Sequence, residues 1–485
     1  MLFRLSSRGT PIAALLIPIC FVAVSCDSRR TDSERLNVLM IVIDTARADK
    51  FGCYGHSGGL TPHVDRLAAQ GARFERASAH APWTLPSTAS LLSSLHPEEH
   101  GAGGFLDLSA LATGGEPRVA FHGLPDAVET VAEAFKAGGW RTGAVVNVDF
   151  LSRDFGLTQG IDDLDAKWYE SNEEVRSATQ TTDKAIEWIQ QRKDEPFFLL
   201  AHYFDAHAVY SPPEEYRREF AAAQDREQSN FVFGTRAHML MLRAGKLELD
   251  EDLIERAEKL YEAELAYVDA QVGRLLAGLK AAGLDQNTLV VLTADHGEEF
   301  LDHQGFEHGH TLYEELLSVP LIFRLPELIP AGTQVKGATG LVDVAPTLCE
   351  LAGIQAPSTF VGRSLVPALN GSPLGKHSIL AHGNFWGEPL TSWQSGPWKL
   401  ILTPQPNRTQ RTELFNLEED PRELNDLTAS LPQVVVELHA EYAAVREHLR
   451  AAQHGEKVKL SDDLMKRLQG LGYLGSTDDS EEDDE

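Results

Sequence analysis

The chain has 485 residues, of which 42% are hydrophobic and 24% are charged, and its formal net charge at pH 7 is −29. This length and composition allow a large core, so we expect one large domain with a smaller one beside it. The negative charge repels phosphate backbones at long range, which excludes nucleic acid as an expected partner. An anionic substrate would therefore be bound by local devices: a metal ion, a helix N-terminus or single basic side chains.

The first 26 residues have the pattern of an export signal. Arg4 and Arg8 precede an apolar stretch that ends in small residues before Cys26. The run AVSC resembles a bacterial lipobox with Cys26 as the lipidated residue; ordinary signal cleavage or a retained anchor is the alternative. We therefore expect an exported protein, in the periplasm or cell envelope, whose partner is the membrane through a lipid anchor.

Three apolar runs further along predict buried parallel strands, and each run ends abruptly in polar residues. RLNVLMIVID ends at Asp44, PFFLLAHYFDAH ends at Asp205 and His207, and NTLVVLTADHG ends at Asp295 and His296. The run HSILAHG predicts a weaker fourth strand. Ligands of parallel sheets bind beyond the carboxyl ends of the strands, where these polar residues fall.

Helical patterns separate the predicted strands. They are TPHVDRLAAQGARF, ETVAEAFKAGGW and the long amphipathic stretch DLIERAEKLYEAELAYVDAQVGRLLAGLKAAG. Strands that alternate with helices predict an α/β fold, with a mostly parallel sheet sandwiched by helices. After about residue 375 the pattern changes to short antiparallel strands and a C-terminal helix, which predicts a smaller α+β subdomain.

The strand ends at Asp44 and at Asp295-His296 are a candidate metal site. An aspartate at the end of a strand could simply cap a turn, and a histidine could lie on the surface. A carboxylate and an imidazole side by side, followed by the flexible Gly297, suit a divalent ion. Two strand ends of this kind favour the metal interpretation over the turn.

Thr84 lies at the entrance of a helix that LPSTASLLSSL predicts, beginning near Pro86. Its hydroxyl could cap the free backbone N–H groups of the first turn. It could also be a nucleophile that a metal activates, with the helix N-terminus binding the anionic group under attack. Both roles use the same location.

The chain resembles the sulfatase family of the alkaline-phosphatase-like superfamily. The stretches that carry the resemblance lie in family order between residues 37 and 430: NVLMIVIDTARADKFGCYG, TPHVDRLAAQGARFERASAHAPWTLPSTASLLSSLHPEEHG, VVLTADHGEEF, GHTLYEELLSVPLIF, LVDVAPTLCELAGI and ELFNLEEDPRELNDL. The resemblance implies a divalent metal (Ca, Mn, Zn or Mg) held by Asp44, Asp295 and His296, with Thr84 as a further ligand and the nucleophile. It also implies catalytic roles for His207, which matches a histidine that contacts the transferred group, and for His310, near a family lysine.

The chain departs from the family pattern where sulfate chemistry is carried. Sulfatases have a Cys or Ser in a Cys-x-Pro-x-Arg pattern, which is converted to formylglycine; here the pattern begins with Thr84, and Thr88 stands at the arginine position. We therefore expect no formylglycine. A family Lys-x-His pair corresponds to Asn147 and Asp149, and a second aspartate after the first is Thr45. The loss of positive charge favours a less charged substrate, such as a phosphate diester.

A second metal or a substrate could bind at Asp205 and Asn147. Asp205, His207 and His310, with His303 or His308, could assemble a two-metal site, but one metal is the preferred interpretation. The predicted function is hydrolysis of a phosphate or sulfate ester in a small molecule, glycan or lipid head group. Three alternatives stay open: a sulfuric ester hydrolase without formylglycine, a transferase of phospho-groups between envelope glycans or lipids, and an inactive glycan-binding relative.

The predicted domain organisation follows from these patterns. It comprises the signal (1–26), a linker (27–36), the catalytic domain (37–375), the C-terminal subdomain (376–475) and an acidic tail (476–485). The tail has no apolar residue to bury, and the sequence predicts that it is disordered.

Overall fold

The computed structural model describes residues 35–107, 118–167, 176–221, 251–405, 409–449, 457–459 and 461–470. The predicted signal, Cys26, most of the linker and the acidic tail lie outside the described residues. Among the helices that are described, none is long and apolar enough to cross a membrane.

The central element is a nine-stranded mixed sheet with the order β11-β2-β12-β8-β1-β7-β5-β6, in which β13 lies beside β2. Strands β1, β5, β6, β7 and β8 run parallel to one another, whereas β12 runs antiparallel to β2 and β8. The strands of the chain are β1 Asn37–Ile43, β2 Ala72–Ser78, β3 Gly103–Asp107, β4 Arg118–His122, β5 Arg141–Val146, β6 Asp163–Ala166, β7 Phe197–Tyr203, β8 Thr288–Thr293, β9 Glu299–Phe300, β10 Phe306–Glu307, β11 Ser318–Val319, β12 Leu321–Arg324, β13 Thr333–Gly340, β14 Ser378–Gly383, β15 Leu390–Ser395, β16 Trp398–Pro404 and β17 Gln410–Asn416.

The three predicted strands β1, β7 and β8 form the middle of the sheet. All their residues are buried, because helices cover both faces of a parallel sheet, which explains the continuous apolar runs. In the register of the sheet, Val42 lies opposite both His202 and Thr293. The carboxyl ends of the three strands therefore meet at one edge.

Helices flank this sheet. The long helix α7 (Glu251–Ala281) shows why helices pack on the sheet. Its buried residues include Ile254, Tyr261, Val268 and Leu275, which lie seven positions apart and form one apolar stripe. The helices are α1 Pro62–Ala69, α2 Thr84–Ser93, α3 Pro97–His100, α4 Val131–Ala137, α5 Ala178–Gln191, α6 Glu214–Phe220, α7 Glu251–Ala281, α8 Glu314–Leu317, α9 Val344–Ala352, α10 Val366–Leu369, α11 Pro432–Arg446 and α12 Asp462–Gly470.

The C-terminal part forms a separate antiparallel sheet of four strands, β14 to β17, with α11 against it. The buried residues of this small core are Leu380, Trp393, Leu400, Leu402, Leu414, Leu438 and Tyr442. The predicted α/β fold with a smaller α+β subdomain is confirmed. HSILAHG, however, is β14 of the C-terminal sheet rather than a fourth strand of the main sheet, because its partner is the following strand β15.

Candidate active site

Three buried side chains meet at the carboxyl edge of the main sheet. Asp44 follows β1, Asp295 lies just beyond β8, and His202 is the next-to-last residue of β7. One ligand atom from each lies within 4.8 Å of the others, a spacing that a single metal ion can bridge. Nε2 of His202 is 3.3 Å from Oδ2 of Asp44.

His296 adds a fourth side chain to this group. Its Nε2 lies 3.7 Å from Oδ1 of Asp44 and 3.6 Å from Oδ2 of Asp295. Its Nδ1 is 2.8 Å from the carbonyl oxygen of Gly297, which can only accept, so Nδ1 carries the proton. In the neutral ring, Nε2 therefore offers a lone pair to the interior of the site.

Thr84 is placed against this lone pair by α2. The helix begins at Thr84, two residues earlier than the sequence predicts, and Trp83 occupies the N-cap position. The Thr84 hydroxyl is completely buried, and its Oγ1 lies 3.3 Å from Nε2 of His296, so it donates to that nitrogen. Ser87, one turn into the helix, donates to the carbonyl oxygen of Asp295 and fixes the helix start against the end of β8.

The electrostatics of the group favour the binding of a cation. Burial, with the negative charge of Asp295, raises the pKa of Asp44 well above its ordinary value. Burial also lowers the pKa of His202 to about 4, so this imidazole is neutral at pH 7 and brings no compensating charge. Both carboxylate oxygens of Asp44, Oδ2 of Asp295 and both ring nitrogens of His202 are buried without a hydrogen-bond partner among the described residues.

These residues fit a divalent metal ion. Two carboxylates and two imidazoles converge, the buried oxygens lack other partners, and an ion would offset the buried negative charge. Asp44, Asp295, His296 and Thr84, the predicted ligand set, all lie within this group. The structure adds His202.

Thr45 occupies the position of the family's second aspartate, and its contacts are structural. Its Oγ1 donates to the carbonyl oxygen of Ala206, and its backbone N–H points to Oδ1 of Asp295 at 3.3 Å. Its φ is 56°, a left-handed conformation that is uncommon for a β-branched residue. The surrounding hydrogen bonds hold this strained turn, and with it the direction of the Asp44 side chain.

A row of imidazole rings extends from the metal ligands. His308 packs at 4.5 Å from the ring centroid of His296 and at 4.9 Å from that of His207. Nδ1 of His308 is 2.8 Å from Oε1 of Glu298, and Tyr210 donates to the other oxygen of this buried carboxyl. His207, one of the predicted catalytic residues, is thus linked to the metal-site residue His296 through the ring of His308.

His310 lies in a different place. Its Nε2 is 2.7 Å from Oε2 of the buried Glu299, and the residue lines a cavity of about 920 Å³ where the C-terminal sheet meets the main domain. His303 pairs with Glu315 instead. Within the described ranges, the single group of three ligand-type residues at metal-binding spacing is Asp44, His202 and Asp295. The two-metal arrangement of Asp205, His207 and His310 is therefore not assembled.

Asp205 and Asn147 stabilise the carboxyl end of β7 through hydrogen bonds. Oδ1 of Asp205 accepts from the backbone N–H of Ala178 at the start of α5, and burial raises the pKa of Asp205 to about 6. Nδ2 of Asn147 donates to the carbonyl oxygen of His202 and to Oγ1 of Thr181. Both residues border β7 and fix the strand end that carries His202.

Sequence reasoning missed His202 because it lies inside an apolar run rather than after it. A signal was present: a histidine inside a central, buried strand needs a polar partner, and His202 lies only two register positions from Asp44. His308 carried a comparable signal in its position next to Gly309, but its contact with Glu298 depends on a turn that the sequence does not specify.

The fold and the site are those of a hydrolase of the α/β class, with a candidate metal site at the carboxyl edge of its sheet. Two family models match the chain: Sulfatase over residues 36–354, and the C-terminal region of N-sulphoglucosamine sulphohydrolase over residues 302–448. The chain belongs to the sulfatase family. It is a sulfatase-family hydrolase of a sulfate or phosphate ester.

Several relatives cover most of the chain. An uncharacterized sulfatase, YidJ, of Escherichia coli K12 is 26% identical over 81% of this chain and 83% of its own length. The N-acetylglucosamine-6-O-sulfatase of Bacteroides thetaiotaomicron is 24% identical over 86% of each chain. The phosphonate monoester hydrolase of Agrobacterium radiobacter shares the fold with a TM-score of 0.67 at 21% identity, over 85% of this chain and 96% of that structure.

Proposed function

We propose that this protein is an exported, metal-dependent ester hydrolase that uses Thr84 as its nucleophile and acts by phosphodiester-type chemistry. The observation that carries the proposal is the contact of Thr84 Oγ1 with Nε2 of His296, at 3.3 Å, on the ring that also faces Oδ1 of Asp44 and Oδ2 of Asp295. A side chain that merely capped the helix would instead turn its oxygen toward the backbone N–H groups of the first turn.

The chain supplies the nucleophile and its orientation. Helix α2 holds Thr84 with the free N–H groups of its first turn directed at the group under attack. A divalent ion bound by Asp44, Asp295, His202 and His296 would lower the pKa of the hydroxyl and stabilise negative charge on the ester oxygens.

The preference for phosphate diesters over phosphate monoesters rests on the positions where family sulfatases carry positive charge. Oγ1 of Thr88 is buried without a hydrogen-bond partner in the described part of the chain, Asn147 is bonded to the backbone of β7, and Asp149 pairs with Arg467. The basic residue closest in sequence to Asp44 is Arg47, and its guanidinium is engaged by Asp49 and Asp302. A substrate with one negative charge at the reacting centre needs fewer cations than a dianion does.

The ligand set favours a transition ion over calcium or magnesium. Calcium and magnesium prefer sites built of oxygen, whereas two imidazoles next to two carboxylates suit zinc or manganese. We expect the purified enzyme to contain about one such ion, measured by mass spectrometry of the metal. Substituting His202→Gln should weaken the metal affinity by on the order of 100-fold, as loss of a ligand does. An unchanged metal affinity in this variant would remove His202 from the ligand set.

The proposed location follows from the N-terminal sequence. Cys26 would carry a lipid that holds the enzyme on the outer side of a bacterial membrane, within reach of esters in envelope glycans or lipid head groups. Mass spectrometry of the N-terminal peptide from the membrane fraction tests this, and Cys26→Ala should release the protein. Release of the unaltered protein without a membrane fraction would instead favour ordinary signal cleavage.

A substrate panel tests the reaction: an aryl sulfate, a phosphate monoester, a phosphate diester and a phosphonate ester, each with zinc, manganese, magnesium and calcium. We expect the highest turnover with the diester. Dominant turnover of the aryl sulfate would favour a sulfatase that works without formylglycine, and monoester turnover far above the diester would overturn the diester proposal. Transfer to an added acceptor alcohol would identify the transferase alternative.

Thr84→Ala separates an enzyme from an inactive binding protein. Turnover should fall by at least about 1,000-fold, because the nucleophile is lost, while the fold and the metal content stay unchanged. Thr84→Ser is the matched control and should retain part of the activity. A phosphorylated Thr84 peptide after a rapid acid quench would identify the covalent step directly. Equal turnover in Thr84→Ala and the unaltered enzyme would sink the nucleophile assignment.

A further inference from the structure

The C-terminal segment after residue 456 returns to the main domain and packs against residues 149–151, which in turn contact the nucleophile helix α2. Its described residues comprise 457–459 and 461–470, which include α12. Leu464 and Leu468, four positions apart on this helix, are buried in the large core of the catalytic domain rather than in the C-terminal core. The segment thus belongs, by packing, to the catalytic domain.

Two specific contacts fix this segment. The backbone N–H of Val458 donates to the carbonyl oxygen of Phe121 at 2.9 Å, as part of a bridge between Lys457 and His122. On α12, Nε of Arg467 lies 2.7 Å from Oδ1 of Asp149, whose side chain is fully buried. A buried carboxylate needs such a partner, and Arg467 is the cation that pairs with it.

Both contacts end on the same aromatic cluster, formed by Trp83, Phe121, Phe150 and Phe155. Phe121 and Phe150 pack at 5.5 Å from each other and at 6.4 and 5.7 Å from Trp83. Phe121 accepts the hydrogen bond of Val458, and Phe150 follows Asp149 directly. Trp83 is the N-cap residue of α2 and the neighbour of Thr84.

We propose that residues 457–468 are a brace that positions Thr84, with Arg467 and Asp149 as positioning residues for the reaction. The proposal rests on the proposed function of Thr84 and goes beyond it, since neither residue touches the reacting atoms. The brace acts through the aromatic cluster: when the ion pair is intact, Phe150 presses on Trp83 and fixes the first turn of α2. The position of Thr84 matters because a substitution far from the reacting atoms that misplaces a reacting group by about 1 Å can lower the rate ~100-fold.

The test compares Arg467→Gln with Lys466→Gln in the full-length enzyme. Lys466 is exposed and adjacent on the same helix, so its substitution removes the same charge without breaking the ion pair. We expect kcat of Arg467→Gln to fall on the order of 10-fold with KM nearly unchanged, because orientation is lost rather than substrate binding. Lys466→Gln should have the kinetics of the unaltered enzyme, and Arg467→Lys should recover much of the loss.

Hydrogen exchange provides a readout that needs no turnover. Backbone amides of 83–93 should exchange faster in Arg467→Gln than in Lys466→Gln, while those of β8 stay protected in both. The double variant Asp149→Asn/Arg467→Gln should be closer to the unaltered protein than either single variant, since it leaves no unpaired buried charge.

The outcomes separate the two proposals. If the unaltered enzyme hydrolyses none of the esters, the proposed function fails, and exchange of 83–93 still decides whether the brace exists. If Arg467→Gln matches Lys466→Gln in kcat and in exchange of 83–93, the brace is wrong. Equal loss of protection in α2 and β8 would also overturn it, because the ion pair would then serve global stability alone.

Discussion

Two buried clusters of ionisable side chains lie in this molecule, and they differ in where their positive charge comes from. The metal-site cluster consists of Asp44, Asp295, His202 and His296. The lysine network consists of Lys399, Glu314, Glu423, His303 and Glu315. In the lysine network, Nζ of the fully buried Lys399 lies 2.7 Å from Glu314 and 2.9 Å from Glu423.

The chain supplies the cations of the lysine network from its own sequence. Burial works against the charged ammonium, but the charges of Glu314 and Glu423 outweigh it and raise the pKa of Lys399. In the metal-site cluster, Asp44 and Asp295 face a histidine that burial keeps neutral. The chain compensates the buried carboxylates of the lysine network, whereas the proposed metal ion would compensate those of the metal-site cluster. We therefore expect the lysine network to contribute to stability and the metal-site cluster to contribute to the reaction.

The largest expected effect comes from Asp44→Asn. Turnover should fall on the order of 1,000-fold, about 4 kcal/mol, because the metal loses a charged ligand. The thermal midpoint of the metal-free protein should nevertheless rise, since the substitution removes one of two mutually repelling buried carboxylates. A turnover assay measures the first effect. Calorimetry of chelator-treated samples, with and without added metal, measures the thermal midpoint. A lower midpoint in the metal-free state would show that Asp44 has a cationic partner within the chain.

Lys399→Met tests the lysine network, and it should lower stability rather than turnover. It should leave the turnover of the folded enzyme nearly unchanged and lower the free energy of unfolding by about 3–5 kcal/mol, because Glu423 remains buried without its cation. Urea unfolding followed by circular dichroism measures this change in the free energy of unfolding. The double variant Lys399→Met/Glu423→Gln is the control and should recover much of the loss. Equal stability of Lys399→Met and the unaltered protein contradicts the structural role.

The sequence predicts the metal-site cluster better than the lysine network, for a physical reason. Asp44 and Asp295 follow apolar runs directly, and parallel strands bring such ends together, so pattern alone predicts that they meet. His202 was hidden because its neighbours in β7 are apolar. Thr84 was placed correctly at a helix entrance, but the helix begins two residues earlier than Pro86 suggests.

The lysine network depends on contacts that no local pattern encodes. Lys399 is buried, and its ammonium pairs with residues 85 positions earlier and 24 positions later. Glu423 belongs to a charged stretch that looks exposed by composition, yet its side chain is buried. Such pairing is set by how β16 packs against the main domain, which periodicity does not specify.

The smallest predicted effect is a pH dependence of the lysine network. Nδ1 of His303 is 2.7 Å from Oε1 of Glu315, and Nε2 is 3.1 Å from the carbonyl oxygen of Glu423. Both partners are acceptors, so both ring nitrogens carry protons and the ring is charged. Burial opposes this charge, but the hydrogen bond and charge of Glu315 raise the pKa of His303 to about 9.

The sign of the pH effect follows from this shift. A histidine has a pKa of about 6.5 in the unfolded chain, so His303 contributes its full stability below pH 6.5 and loses it as pH rises through 9. After allowance for solvent screening, we expect about 1–2 kcal/mol. In urea unfolding, the unaltered protein should therefore exceed His303→Gln by this amount at pH 6 and match it near pH 10. His439→Gln, on α11, is the control and should show no such change. If the difference between His303→Gln and the unaltered protein is the same at both pH values, His303 contributes packing on Tyr313 rather than charge.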